Sequence, residues 1–128
     1  MKLLGIDYGA KNVGIAMSDD RLKFAFPFVV LQNSEILIYD IGRICKENKI
    51  VGIVVGESKD FQQNENQIMK EIKPFADRLQ RELDIPVYFH PEFMTSQEAE
   101  RIQGKNNMHD ASAAALILKS YLDTHHGE

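Results

Sequence analysis

At 128 residues, 44% apolar and 27% charged, the chain is long enough to bury a core and is ordinary for one soluble globular domain spanning 1–128. A net charge of −4 argues against a protein that grips nucleic acid through bulk positive field, but not against one that loads divalent cations onto carboxylates. A single Cys45 excludes an internal disulfide and a cysteine-built metal site, and no apolar run approaches the length of a membrane span. Met1 leads straight into an apolar run without a basic leader, so the expected location is the cytoplasm.

Residues 2–7 read as a strand, 8–12 as a turn, and 13–18 as a second strand. The turn at Asp19, Asp20 and Arg21 leads to a third strand over 24–31, and the close spacing of the three predicts an antiparallel meander. Ser34 is then a fitting N-cap. Leu37, Ile38, Ile41, Ile44 and Cys45 follow at helical spacing, with an end near Asn48. The wholly apolar, β-branched run 50–55 reads as a strand buried on both faces, as in a parallel sheet. After a polar stretch, Ile68, Ile72, Phe75, Ala76, Leu79 and Leu83 mark a second helix, in which Pro74 predicts a kink or a new segment. A fifth strand is expected over 85–89, a short helix over 95–102 and a last helix over 107–123. The order βββ-α-β-α-β-α predicts an α/β fold with a mixed five-stranded sheet and helices on both faces. It resembles the ribonuclease-H-like fold, whose sheet order is 3-2-1-4-5. First and fourth strands are then neighbours, and ligands belong at the strand ends.

Four acids fall where this order gathers them. Asp7 ends the first strand, Glu57 ends the fourth, Glu92 follows the fifth and Asp110 lies in the first turn of the last helix. Ala114, Ile117 and Tyr121 stand at i+4, i+7 and i+11 from Asp110 and share its helix face. Carboxylates that converge without basic partners repel one another, and divalent cations remove that cost. Oxygen-only ligands suit Mg²⁺ or Mn²⁺, and two such ions can clamp a scissile phosphate. Each acid also has a plainer reading: an Asx turn or buried ion pair for Asp7, helix capping for Asp110, and solvated loops for Glu57 and Glu92.

Other groups fit two roles as well. Gly9 and Lys11 in the first turn could meet a phosphate through backbone N–H and ammonium, but a hairpin turn needs its glycine anyway. Thr95 and Ser96 could donate to phosphate, or Thr95 could form a capping box with Glu98. His90 and His109 flank the acids and could carry protons or sit as ordinary surface histidines.

The opening Gly5-Ile6-Asp7-Tyr8-Gly9-x-Lys11-x-Val13-Gly14-Ile15-Ala16-x-Ser18-Asp19 resembles the first motif of the YqgF-type (RuvX-type) nucleases, also called Holliday-junction-resolvase-like proteins or pre-16S rRNA nucleases. The closing Asp110-Ala111-Ser112-Ala113-Ala114-Ala115-Leu116-Ile117-Leu118-x-x-Tyr121-Leu122 resembles the last motif of the same family. The resemblance implies a ribonuclease-H-like, metal-dependent phosphodiesterase that matures the 5′ end of small-subunit rRNA. It implies Asp7, Glu92 and Asp110 as catalytic and metal-binding acids, with Mg²⁺ or Mn²⁺, two ions in all.

The family's middle motif, Asp-Glu-Arg-x-Thr-Thr, aligns with Pro91-Glu92-Phe93-Met94-Thr95-Ser96, so Glu92, Thr95 and Ser96 fit while Pro91 and Phe93 replace an Asp and an Arg. The usual Gly-Leu-Pro after the fourth strand is here Gly56-Glu57-Ser58. Glu57 is therefore expected as a fourth metal ligand that offsets the loss at Pro91. The expected substrate is structured nucleic acid, pre-rRNA before branched DNA, handled by a monomer or homodimer with Gly9, Lys11, Thr95 and Ser96 on the substrate. The rival readings are a catalytically weakened RNA-binding module and an actin-like ATPase or sugar kinase. The latter also opens on Asp-x-Gly but needs two such domains.

Overall fold

The computed structural model describes residues 1–58, 69–92 and 109–124; for Ser58, Met69, Glu92, His109 and Asp110 it describes the backbone. The elements are β1 (Lys2–Tyr8), β2 (Asn12–Ser18), β3 (Ala25–Gln32), α1 (Leu37–Asn48), β4 (Ile50–Ser58), α2 (Met69–Leu83), β5 (Val87–Glu92) and α3 (His109–Thr124). They build one five-stranded sheet of order β3-β2-β1-β4-β5. The β1–β2 and β2–β3 pairs are antiparallel, whereas β1–β4 and β4–β5 are parallel. No helix of the described residues is long and apolar enough to cross a membrane. The expected short helix over 95–102 lies outside the described residues.

The two-residue period of the strands divides the core between two faces. Leu4, Ile6, Ile15, Ile53 and Val55 pack with Leu37, Ile38 and Ile41 of α1 and Ile72, Phe75 and Leu79 of α2. Leu3, Ala16 and Val54 pack on the other face with Ala114, Ile117, Leu118 and Leu122 of α3. Small residues let α3 lie close to the sheet. A Cβ placed on Gly5 would stand 2.8 Å from Leu118 Cβ and 2.9 Å from the Ala114 carbonyl oxygen.

Four local expectations are corrected. Ser34 does not cap α1: the N-cap position is Ile36, without a side-chain cap bond. Ser34 instead closes the turn before the helix, where its Oγ accepts the Ile36 N–H at 3.3 Å and its carbonyl accepts the Leu37 N–H at 3.1 Å. Pro74 starts no new segment, because α2 runs through it. Lys70 and Pro74 both face solvent, so water can take the carbonyl that the missing N–H leaves. β4 extends to Ser58, which puts Glu57 inside the strand. β5 starts at Val87 and runs through Pro91 to Glu92, so Glu92 ends the strand and does not follow it. Ile85 and Pro86 form the connection, with the Pro86 carbonyl accepting the Ile53 N–H at 2.9 Å. An edge strand tolerates Pro91 because its outer side needs no donor.

Candidate active site

Asp7 occupies the sheet face that α3 covers. It follows Leu3 and Gly5 at the strand period, and both of those meet α3 residues. Its register partner on β2 is Gly14. On β4 the register runs through Ile6–Val55, so the next residue, Gly56, flanks Asp7 on the other side. The half-buried carboxylate thus stands between two residues without side chains, in the middle of the sheet.

The direction of α3 decides what lies above Asp7. Ala114 and Leu118 sit over Gly5, while Leu122 joins the cluster of Leu3, so α3 runs antiparallel to β1. Asp110 is one turn before Ala114, an advance of about 6 Å along the helix. Asp7 is two residues beyond Gly5, an advance of about 6.6 Å along the strand. Both advances run the same way, so the backbone brings positions 7 and 110 to one end and one face of the sheet. The N-terminal turn of α3 lies at that end, where the helix dipole favours negative charge. On β5, Tyr88 and His90 share the α3 face, their ring centroids 5.8 and 6.1 Å from that of Tyr121. The period assigns position 92 to the same face. Glu92 is paired in register with Ser58, two strands from β1 or about 10 Å across.

Glu57 does not join this group, contrary to expectation. Its neighbours Val54 and Gly56 meet α3, whereas Ile53 and Val55 pack under α1 and α2. Glu57 falls in the second set. It lies beside Tyr8, which packs on Phe75 of α2 at a centroid distance of 4.7 Å. A whole sheet therefore separates Glu57 from the face of Asp7.

Among the described side chains, no three His, Cys, Asp or Glu cluster as a metal site. The acidic positions that the backbone puts at one end and one face of the sheet are 7, 92 and 110. An all-oxygen donor set of this kind fits a hard divalent cation such as Mg²⁺ or Mn²⁺.

The β1–β2 turn is built tightly. A Cβ on Gly9 would lie 2.5 Å from the Asn12 carbonyl oxygen, so the turn itself demands the glycine. Lys11 is exposed at its tip. The Gly9 carbonyl accepts the Asn33 Nδ2–H at 2.8 Å, and the Lys11 carbonyl accepts the Asn33 backbone N–H at 2.9 Å. Sequence reasoning passed over Asn33, which reads as one more polar residue after a strand, and over Gly14 and Gly56 as neighbours of Asp7. Pairing register was the missing signal in each case. Thr95 and Ser96 lie outside the described residues.

Ser18 and Asp19, which close the first motif, do structural work at the opposite end of the sheet. The buried Ser18 Oγ accepts the Leu3 N–H at 2.8 Å and donates to the Asp19 carbonyl at 3.0 Å. Asp19 Oδ1 accepts the Lys23 and Phe24 N–H groups at 2.8 and 3.0 Å.

The family model described as RuvX, Holliday junction resolvase, matches residues 1–124. A protein of Rickettsia africae (strain ESF-5) named "Putative pre-16S rRNA nuclease" is 30% identical over 132 residues, covering 95% of this chain and 86% of its own. Its namesake in Rickettsia canadensis (strain McKiel) is 31% identical over 133 residues, covering 96% and 86%. Among solved structures, Thermus thermophilus RuvC aligns with a TM-score of 0.64 at 17% identity, over 99% of this chain and 97% of RuvC. The fowlpox virus Holliday junction resolvase aligns at 0.54 and 15% identity, over 97% and 99%. These two similarities establish the fold, which is ribonuclease-H-like. The match over nearly the whole chain and the relatives at 30% identity mean that this chain belongs to the RuvX family, a nuclease family.

Proposed function

We propose that the protein is a divalent-metal-dependent endonuclease acting on structured nucleic acid, with the 5′ end of pre-16S rRNA as its substrate. What supports this reading is the strand register that sets glycines on both sides of Asp7, together with the direction of α3, which leads its first turn towards the same end and face of the sheet. Asp7, Glu92 and Asp110 would hold Mg²⁺ or Mn²⁺. When bound, such ions neutralise the carboxylates, clamp a phosphate and activate water at neutral pH. The protein's own part is placement. β1 fixes Asp7, the first turn of α3 would supply Asp110 at the same end of the sheet, and the exposed Lys11 would offer a cation to the substrate backbone. Gly9, Thr95 and Ser96 complete the proposed substrate contacts. The names of the Rickettsia relatives support rRNA as substrate.

The test is cleavage of an end-labelled pre-16S precursor with and without Mg²⁺ or Mn²⁺, beside Asp7→Asn and a four-way DNA junction. Metal-dependent cutting of the RNA that Asp7→Asn abolishes is the expected result. Equal activity of wild type and Asp7→Asn would overturn it. Pro91 and Phe93, which stand where the family pattern has Asp and Arg, favour one second reading: a domain of this fold that binds RNA without cutting it. Binding by both proteins with cutting by neither would establish that reading.

A further inference from the structure

Asn33 makes two hydrogen bonds to the β1–β2 turn, and only one depends on its side chain. Any residue except proline could donate its backbone N–H to the Lys11 carbonyl. The bond at 2.8 Å to the Gly9 carbonyl requires a side-chain N–H donor. That bond controls a peptide plane. The Gly9–Ala10 peptide is trans and planar, so its N–H points opposite to its C=O. With the Gly9 carbonyl drawn towards Asn33, the Ala10 N–H is aimed away from Asn33. Ala10 and Lys11 are both exposed, so this N–H lies at an open tip.

Glycine is also the residue at which a peptide rotates most cheaply, because φ and ψ are least restricted there. A flipped Gly9–Ala10 peptide would offer a carbonyl where a phosphate needs a donor. Gly9 is forced by the close approach of Asn12, so the turn cannot gain stiffness from a larger residue.

We infer that Asn33 is a positioning residue for substrate: its side-chain amide locks the Gly9–Ala10 peptide so that the Ala10 N–H donates to a nucleic-acid phosphate. This rests on the proposed reading of the turn as a phosphate contact. Asn33 belongs to neither the first nor the last motif, so this contribution comes from the end of β3.

The experiment measures binding of a fluorescein-labelled pre-16S leader RNA by anisotropy, with Ca²⁺ in place of Mg²⁺, across a salt series. Asn33→Leu removes the donor without adding charge, Asn33→Gln restores one, and Lys11→Ala removes a cation. Asn33→Leu is expected to raise Kd about tenfold, the loss of one hydrogen bond to a charged group, with the wild-type salt slope. Asn33→Gln should recover most of that loss, whereas Lys11→Ala should lower the salt slope by about one. Wild-type binding by Asn33→Leu, or equal weakening by Leu and Gln, would overturn the inference. Failure of the nuclease reading would register separately, as RNA cutting that Asp7→Asn does not affect.

Discussion

Asp7 and Glu57 lie on opposite faces of the same sheet. Asp7 continues the Leu3–Gly5 series that meets α3, whereas Glu57 continues the Ile53–Val55 series under α1 and α2. One residue of strand register separates a shared site from none. Glu57→Gln should therefore change cleavage by no more than about twofold, the range of a substitution away from the site that removes no partner among the described residues. Asp7→Asn should lower kcat by at least about 100-fold, more than the loss of a group that merely orients a metal ligand. Steady-state cleavage of the two variants side by side decides the point. Comparable losses would show that Glu57 reaches the acids despite its face.

The fold was legible because its signals are local. The β-branched run at Ile50–Val55 and the helical spacing from Leu37 to Cys45 each announce one element type, and their order leaves few topologies. The positions of Asp7 and Asp110 near the ends of β1 and α3 were legible for the same reason, since each lies in a motif that marks an element end. Glu57 was misread because strand length sets the face. A strand expected to stop at Val55 leaves Glu57 in a loop free to turn, whereas a strand reaching Ser58 commits it. Asn33 was missed because its value lies in a bond to Gly9, 24 residues away. Nothing in the residues around Asn33 encodes that bond.

Gly5 and Gly56 should differ sharply when replaced by alanine. At Gly5 the new Cβ meets Leu118 Cβ and the Ala114 carbonyl, neither of which can turn aside. α3 must shift, at a cost of about 1–3 kcal/mol, and the shift carries Asp110 away from Asp7. At Gly56 the obstacle is Ile117, with Cδ1 at 2.6 Å and Cγ1 at 3.2 Å, atoms of a side chain that can rotate. Urea unfolding should place Gly5→Ala well below Gly56→Ala, and Ile117→Val should restore the latter. Cleavage should fall with Gly5→Ala beyond what its stability explains. Equal behaviour of the two alanines would show that α3 does not set the Asp7–Asp110 geometry.

Cys45 should report on opening of α1. The side chain is 3% exposed, and burial pushes its thiol from the usual 9.0 up to about 11. At pH 8 the folded protein therefore holds almost no thiolate, and thiolate is the reactive form. Alkylation should be slow and should accelerate with denaturant in step with unfolding. Because the folded value is raised, the unfolded chain loses its proton first. Stability should be complete below pH 9.0 and decline as pH rises towards about 11, by about 3 kcal/mol in all. Cys45→Ala should remove that alkaline decline. Fast alkylation under native conditions would contradict the burial.

The turn after β2 makes the opposite prediction at acid pH. The Asp19 carboxyl is held below its usual 3.8, first by the Phe24 N–H, against the opposing effect of burial, and then by the Lys23 N–H. The folded state thus prefers the carboxylate more strongly than the unfolded chain does. Its contribution is complete above pH 3.8 and is lost as pH falls through the lower folded value. Asp19→Asn keeps an Oδ1 that can accept both N–H groups but cannot titrate. Urea midpoints followed from about pH 6 down to about pH 2 should fall less steeply for Asp19→Asn than for the wild type. The two curves should converge at the acid end, because there the wild-type carboxyl is protonated and only the neutral acceptor remains. Parallel curves throughout would show that the Phe24 and Lys23 bonds do not distinguish the charged from the neutral group.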